Sequence, residues 1–162
     1  MALNDKATQS AAGIKLYYAI ETTAGSLPSS FSYIANITDL PAYDSPAAGL
    51  DATTTDETVA HRYIPGLKDG GDSWSPTANM SASLIDGWNA LAASAASAFA
   101  QGKATWFTCV VPNFTKSWYI AGIPNEILWP GAGIDEVFQG EISITVTDAS
   151  KGWQTKPTTL GS

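Results

Sequence analysis

The sequence predicts an all-β fold, a sandwich or barrel of about seven or eight mostly antiparallel strands, with one flanking α-helix around residues 86–101. Apolar and polar residues alternate with a period of two along most of the chain. The chain contains 14 Gly and 9 Pro, residues typical of turns, and several of them separate the alternating segments. The helical period replaces the alternation only once. A chain of 162 residues fits one domain, here residues 1–162, in which residues 1–13 and 149–162 are expected to stay flexible until assembly.

The strands are predicted from this alternation, beginning at residues 14–20. In residues 73–84 one face is apolar and the other carries only Ser, Thr and Asn, which is typical of a half-buried antiparallel strand. Pro76 is expected near the start of that strand or at a sheet edge, because proline cannot donate to the ladder. The remaining strands are predicted at residues 32–37, 59–64, 104–111, 116–123 and 138–146, with a hairpin turn at residues 110–115.

The helix is predicted to begin at Asp86 as N-cap and to end before Gly102. Its expected buried face carries Trp88, Leu91, Ala95 and Phe99. The opposite face is small and uncharged, with Ala90, Ala93, Ser94 and Ser97. A solvent-facing helix usually carries charges there, so this face predicts either close packing on a neighbouring subunit or a harmlessly exposed Ala-rich surface.

Residues 40–58 form the longest segment without a predicted element. Loops of this length are uncommon in compact domains, and usually they are functional or ordered by a partner.

The charge pattern excludes some functions. The net charge is −7 and the eight basic residues are scattered, which argues against direct binding of DNA or RNA. Only 14% of residues are charged, below the usual ~25%. This composition favours a surface covered by partner subunits, although a Ser/Thr-rich β domain has a similar composition. One cysteine excludes a disulfide within the chain and fits a cytoplasm, and no apolar run predicts a signal peptide or a membrane span.

No catalytic, metal or cofactor site is predicted. A Cys–His pair would need Cys109 and His61, but Cys109 stands in an apolar segment where a thiol is usually a small buried side chain. Asp69 and Asp72 flank two glycines without the spacing of a calcium loop, so this segment is interpreted as a turn.

The most distinctive segment is Arg62-Tyr63-Ile64-Pro65-Gly66-Leu67-Lys68-Asp69-Gly70-Gly71-Asp72, followed by the alternating residues 73–84. It resembles the turn and strand of the tail tube proteins of long-tailed bacteriophages, and the residues that carry the resemblance are Pro65, Gly66, Leu67, Asp69, Gly71 and Asp72. The single helix in mid-chain and the closing pattern Phe138-x-Gly-x-Ile-x-Ile-x-Val are also similar to that family.

The resemblance implies a structural protein of the virion tail, assembled in the bacterial cytoplasm. Subunits of the family form hexameric rings that stack into a hollow tube, through which DNA passes without specific binding. The implied partners are further copies of the chain and the tape-measure, tail-tip and tail-terminator proteins. The long loop would reach the neighbouring ring with Asp44, Pro46, Leu50, Asp51, Thr54, Asp56 and Glu57.

Two alternatives stay open. The related inner tube of a contractile injection or secretion system would share the architecture and differ in cargo. A monomeric β-sandwich could instead bind carbohydrate through its six tryptophans, although most of these stand in periodic segments typical of a core or an interface.

Overall fold

A seven-stranded sheet forms the centre of the fold. The computed structural model describes residues 11–68 and 73–162. Within these residues the elements are β1 (Lys15–Ile20), β2 (Ser30–Ile34), β3 (Ile37–Asp39), β4 (Ala47–Asp51), β5 (Tyr63–Lys68), β6 (Ser73–Trp74), β7 (Thr77–Asn79), α1 (Ala82–Ala100), β8 (Thr105–Val110), β9 (Lys116–Pro124), β10 (Gln139–Glu141), β11 (Ile144–Thr155) and β12 (Thr159–Leu160). The predicted class, all-β with one flanking helix, is confirmed.

The strand order of the central sheet is β12-β2-β1-β8-β9-β11-β6, and β12 pairs with β2 in parallel while the other neighbours are antiparallel. A second sheet has the order β10-β7-β3, and β4 pairs with β5 alone. The predicted hairpin of residues 104–123 is confirmed as β8 and β9. The described residues hold twelve strands, more than the seven or eight predicted, because two predicted strands are interrupted and because β4 and β12 lie where no strand was predicted.

One face of the central sheet packs against the helix. Successive side chains of a strand point to opposite faces, so Leu16, Phe107 and Ile120 lie on the side of the helix and form a buried core with its Trp88 and Leu91. The ring centroids of Trp88 and Phe107 are 6.0 Å apart. This contact fixes α1 on the sheet.

The other face carries a second core, which is rich in aromatic rings: Tyr17, Phe31, Trp106 and Tyr119. The Tyr119 ring makes edge contacts with both Phe31 and Trp106, at centroid distances of 6.0 and 5.9 Å. Because both sheet faces are covered, every residue of β8 is buried.

A buried carboxylate closes the second core. Glu21 is 5% exposed and accepts three hydrogen bonds, from the Trp106 indole at 2.9 Å, the Ala104 amide at 3.0 Å and the Gly25 amide at 2.9 Å. The irregular part of β11 adds the Lys151 ammonium, 4.6 Å from the centre of the Trp106 ring and 3.0 Å from an Asp148 oxygen. Burial raises the pKa of Glu21, but these hydrogen bonds and the Lys151 charge outweigh it and hold that pKa below its usual value.

The C-terminal segment is part of the sheet. Residues 149–162 were predicted to stay flexible until assembly; in the structure β11 extends to Thr155 and β12 lies beside β2. The Tyr119 hydroxyl also donates to the Thr155 carbonyl at 2.7 Å. Of residues 1–13, the structure describes only the last three, which form a turn before β1.

The strand predicted for residues 73–84 is wrong. It is divided into β6 and β7, and its last three residues belong to the helix. Pro76 lies between the two strands, where it has no amide to donate and its carbonyl accepts from the Ile142 amide at 2.8 Å. The closing strand 138–146 is likewise interrupted between β10 and β11.

The helix starts one turn earlier than predicted. Ser81, not Asp86, is the N-cap, and its hydroxyl accepts from the Leu84 amide. The end is as predicted, since Gly102 follows the helix with a φ of 76°, which favours glycine. Trp88, Leu91 and Ala95 are buried as expected, but Phe99 is 53% exposed because the buried stripe continues through Ala98 instead.

Removing this cap has a defined expected cost. Ser81→Ala leaves the Leu84 amide without its acceptor and should lower the free energy of unfolding by about 1 kcal/mol. Asp86→Ala, at the cap position that the sequence predicted, is the matched control and should change it by less than about 0.5 kcal/mol. Urea denaturation followed by circular dichroism measures both, and an equal loss in the two variants would contradict the Ser81 cap.

Candidate functional site

A two-stranded hairpin stands apart from both cores. We call residues 47–68 the hairpin arm; it consists of β4, β5 and the turn between them. Leu50 pairs with Ile64 and Asp51 with Tyr63. Neither strand contributes a side chain to either core cluster of the described residues. The arm is therefore available for contacts outside its own domain.

Both faces of the arm carry exposed apolar side chains. Leu50 and Ile64 share one face and are 51% and 48% exposed, while Tyr63 on the other face is 61% exposed. Leu67, which lies at the register shift in β5, is 91% exposed. A hairpin of two strands is marginally stable in water unless a hydrophobic face is covered. Large apolar side chains that a fold leaves exposed together on one element make that element a candidate interaction site.

Polar contacts brace the turn of the arm. The Asp51 carboxylate accepts from the Thr53 amide at 2.9 Å and also from the Thr53 hydroxyl, and these bonds hold the pKa of Asp51 below its usual value. The Thr53 hydroxyl in turn accepts from the Arg62 amide at 2.9 Å, and Arg62 lies 3.6 Å from Glu57. The arm thus has a defined shape without a core of its own.

Most of the loop residues predicted to take part in assembly lie on this arm. Leu50 and Asp51 belong to β4, and Thr54, Asp56 and Glu57 belong to the turn, whereas Asp44 and Pro46 precede the arm. The prediction of a segment without regular structure at residues 40–58 is wrong, because β4 lies within it. The strand predicted at residues 59–64 begins only at Tyr63.

The residues that carry the family resemblance were predicted to form a turn, and the structure places some of them in a strand instead. Pro65, Gly66 and Leu67 lie in β5 and not in a turn, whereas Asp69, Gly71 and Asp72 lie outside the described residues. Gly66 is needed for close approach, since a Cβ there would lie 3.0 Å from the Ala48 carbonyl oxygen. Tyr63 and Ile64 were not predicted as candidate site residues, and Leu67 was predicted only as part of the resemblance turn. The signal for all three was an apolar segment, residues 63–67, in which no polar residue alternates with the apolar ones.

The small-residue face of α1 is exposed, as Ala90, Ala93, Ser94 and Ser97 all face away from the core. That this face packs against a neighbouring subunit stays a prediction.

Two further exposed surfaces lie at opposite ends of β9. The basic end consists of Phe114, Lys116, Trp153 and Lys156, where β9 begins and β11 ends. The acidic loop, residues 126–138, follows the other end of β9 and carries Glu126, Leu128, Trp129, Ile134, Asp135, Glu136 and Val137, all exposed.

The tryptophans do not form one platform. Trp74, Trp88 and Trp106 are buried, which confirms their interpretation as core residues. Trp129 and Trp153 are exposed, but they lie on the acidic loop and at the basic end respectively. Trp153 also borders a cleft of about 650 Å³ with Tyr43 and Trp118.

Cys109 and His61 have unrelated surroundings. Burial raises the pKa of the Cys109 thiol to about 12, which disfavours the nucleophilic thiolate. His61 is exposed on the arm, beside Asp51, Thr53 and Tyr63. In residues 11–68 and 73–162 no cluster of three His, Cys, Asp or Glu side chains could hold a metal ion.

The one helix in the described residues is not apolar enough to cross a membrane. No protein-family model matches the chain, and no curated protein matches it.

Proposed function

We propose that this protein is a structural subunit of a bacteriophage tail tube, which assembles into hexameric rings stacked around the path of the genome. The observation that carries the proposal is the hairpin arm, which is braced at its turn and exposes apolar side chains on both faces. The resemblance in residues 62–72 is the reason for proposing a tail tube in particular. The exposed apolar side chains of the arm are the physical reason for proposing self-association.

The arm can bind a second copy in two ways. Covering its apolar side chains removes them from water, at roughly 25 cal/mol for each Å² buried. Its strands pair only with each other in the described residues, so each has an outer edge to which a strand of another subunit can add. The domain keeps its own two cores, so its folding need not depend on this contact.

The charge of the chain suits a conduit for DNA. With a net charge of −7 and scattered bases, the surface repels a phosphate backbone and does not retain it. The tape-measure, tail-tip and tail-terminator proteins are the further partners in this proposal.

Replacing the apolar side chains on one face of the arm by serine tests whether the arm takes part in assembly. The double variant Leu50→Ser, Ile64→Ser should fold with unchanged circular dichroism but shift the concentration for half-maximal assembly upward by at least about tenfold, since each tenfold shift needs only about 1.4 kcal/mol of contact energy. Light scattering over a concentration series measures the shift, and negative-stain electron microscopy shows whether rings or tubes form.

The matched control is Leu27→Ser, another exposed leucine, 42% exposed and outside the arm. It should assemble like the wild type. Rings and tubes that form equally well from the Leu50, Ile64 variant would remove the arm from the assembly, and a wild-type protein that stays monomeric into the millimolar range would contradict the proposed function.

A further inference from the structure

We infer that neighbouring copies of this chain bind head to tail, with the basic end of one subunit seated on the acidic loop of the next. This inference rests on the proposed self-assembly and names surfaces separate from the hairpin arm. Two observations carry it: both surfaces expose paired aromatic rings, and their charges are opposite.

The basic end combines an aromatic pair with two ammonium groups. Phe114 and Trp153 are 46% and 54% exposed, and their ring centroids are 6.3 Å apart. They line a shallow hollow of about 390 Å³ together with Lys116. Lys116 and the half-buried Lys156 form no ion pair with any described residue. Their charges are therefore available to a partner.

The acidic loop offers the complementary groups. Leu128, Trp129 and Ile134 are 80%, 77% and 103% exposed, so these large side chains are almost fully in water. Glu126, Asp135 and Glu136 belong to the same loop and are also exposed, without an ion-pair partner in the described part of the chain. A surface that combines exposed aromatic and aliphatic side chains with charged groups suits an interface with an apolar centre and a polar rim.

The loop is held in place at its base and does not bury these side chains itself. The Ile127 amide donates to Asn89 Oδ1 at 2.8 Å, and the Asn125 amide donates to the Ser143 carbonyl at 2.8 Å. The Trp129 ring lies 5.9 Å from that of Phe138. The base of the loop and the Trp129 ring are therefore held in position, which lowers the entropy that this part of the surface loses on binding.

The two surfaces lie at opposite ends of one strand. Lys116 is the first residue of β9 and Pro124 the last, so the strand separates them by about 26–27 Å. Both cannot meet within one subunit, but the basic end of one copy can meet the acidic loop of another. Such a heterologous contact, when repeated, closes into a ring or continues as a filament, depending on the rotation between copies.

Charge reversal tests the contact. Lys116→Glu with Lys156→Glu places like charges on the two surfaces, and Asp135→Lys with Glu136→Lys does the same from the other side. Each double variant alone should raise the concentration for half-maximal assembly by at least about tenfold, since like charges at an interface are strongly unfavourable. The control Lys15→Glu with Lys103→Glu makes the same change of net charge elsewhere and should assemble like the wild type.

Complementation makes the test specific. An equimolar mixture of the two double variants, and the quadruple variant in one chain, restore opposite charges across the contact and should assemble within about threefold of the wild type. The inference is overturned if either double variant, folded by circular dichroism, assembles normally, or if the mixture and the quadruple variant do no better than the double variants. A wild-type protein that never assembles would instead remove the proposed function on which the inference rests.

Discussion

Replacing Trp88 by alanine is expected to lower the free energy of unfolding by about 3–5 kcal/mol, the usual cost of removing a large buried aromatic side chain. Trp88 is 3% exposed and contacts Phe107 across the interface between α1 and the sheet. Its indole also donates to the Asn125 carbonyl at 2.7 Å, which ties the helix to the segment after β9. The variant loses the packing and leaves this carbonyl unpaired.

Urea or thermal denaturation measures the effect, with two companion variants. Trp129→Ala removes an exposed ring, 77% exposed, and should change the free energy of unfolding by less than about 0.5 kcal/mol. Trp88→Phe retains most of the packing and loses the hydrogen bond, so it should cost about 1–2 kcal/mol. A stability loss for Trp88→Ala no greater than that for Trp129→Ala would contradict the packing of the helix on the sheet.

Replacing Glu21 by glutamine is expected to cost about 1–3 kcal/mol at pH 7, because it converts one carboxylate oxygen into a donor. The two oxygens now accept from Trp106, Ala104 and Gly25, so the new amide group must face at least one of these donors. The attraction of Lys151 is lost as well. Glu126→Gln, at an exposed carboxylate of the acidic loop, is the matched control and should leave stability nearly unchanged.

The Glu21 contribution should depend on pH in a defined direction. Its pKa in the folded protein lies below the ordinary value of 4.5, so the unfolded chain binds the proton more readily. The contribution is therefore complete above pH 4.5 and is lost as the pH falls through the lower pKa of the folded state. Denaturation curves between pH 7 and pH 3 should show the gap between wild type and Glu21→Gln narrowing below pH 4.5. A gap that stays constant or widens there would contradict the carboxylate as the stabilising form.

The sequence by itself determined the class of the fold and several of its elements. The hairpin of β8 and β9, the strand β1, the end of the helix before Gly102 and its buried Trp88, Leu91 and Ala95 all follow from local periodicity. Local patterns predict these features because each depends on neighbouring residues: a two-residue or 3.6-residue period, and a glycine where φ is positive.

Only the tertiary structure showed where the alternation of apolar and polar residues does not form one continuous strand, and which distant strands pair. The alternation of apolar and polar residues in 73–84 continues across Pro76 and into the first turn of the helix. The local pattern therefore does not indicate that a helix begins after Ser81. The pairing of β4 with β5 joins residues on either side of an 11-residue turn, 52–62, and the pairing of β12 with β2 joins residues 129 positions apart.

The candidate surfaces depended on tertiary structure for the same reason. Leu50 and Ile64 carry the apolar pattern of core residues, and only their position on an arm outside both cores makes them exposed. In the sequence, nothing distinguishes Glu21 from the other fourteen acidic residues. Its carboxylate becomes a buried hydrogen-bond acceptor because the fold brings the Trp106, Ala104 and Gly25 donors to it. Burial and exposure are set by long-range contacts, which local sequence patterns do not contain.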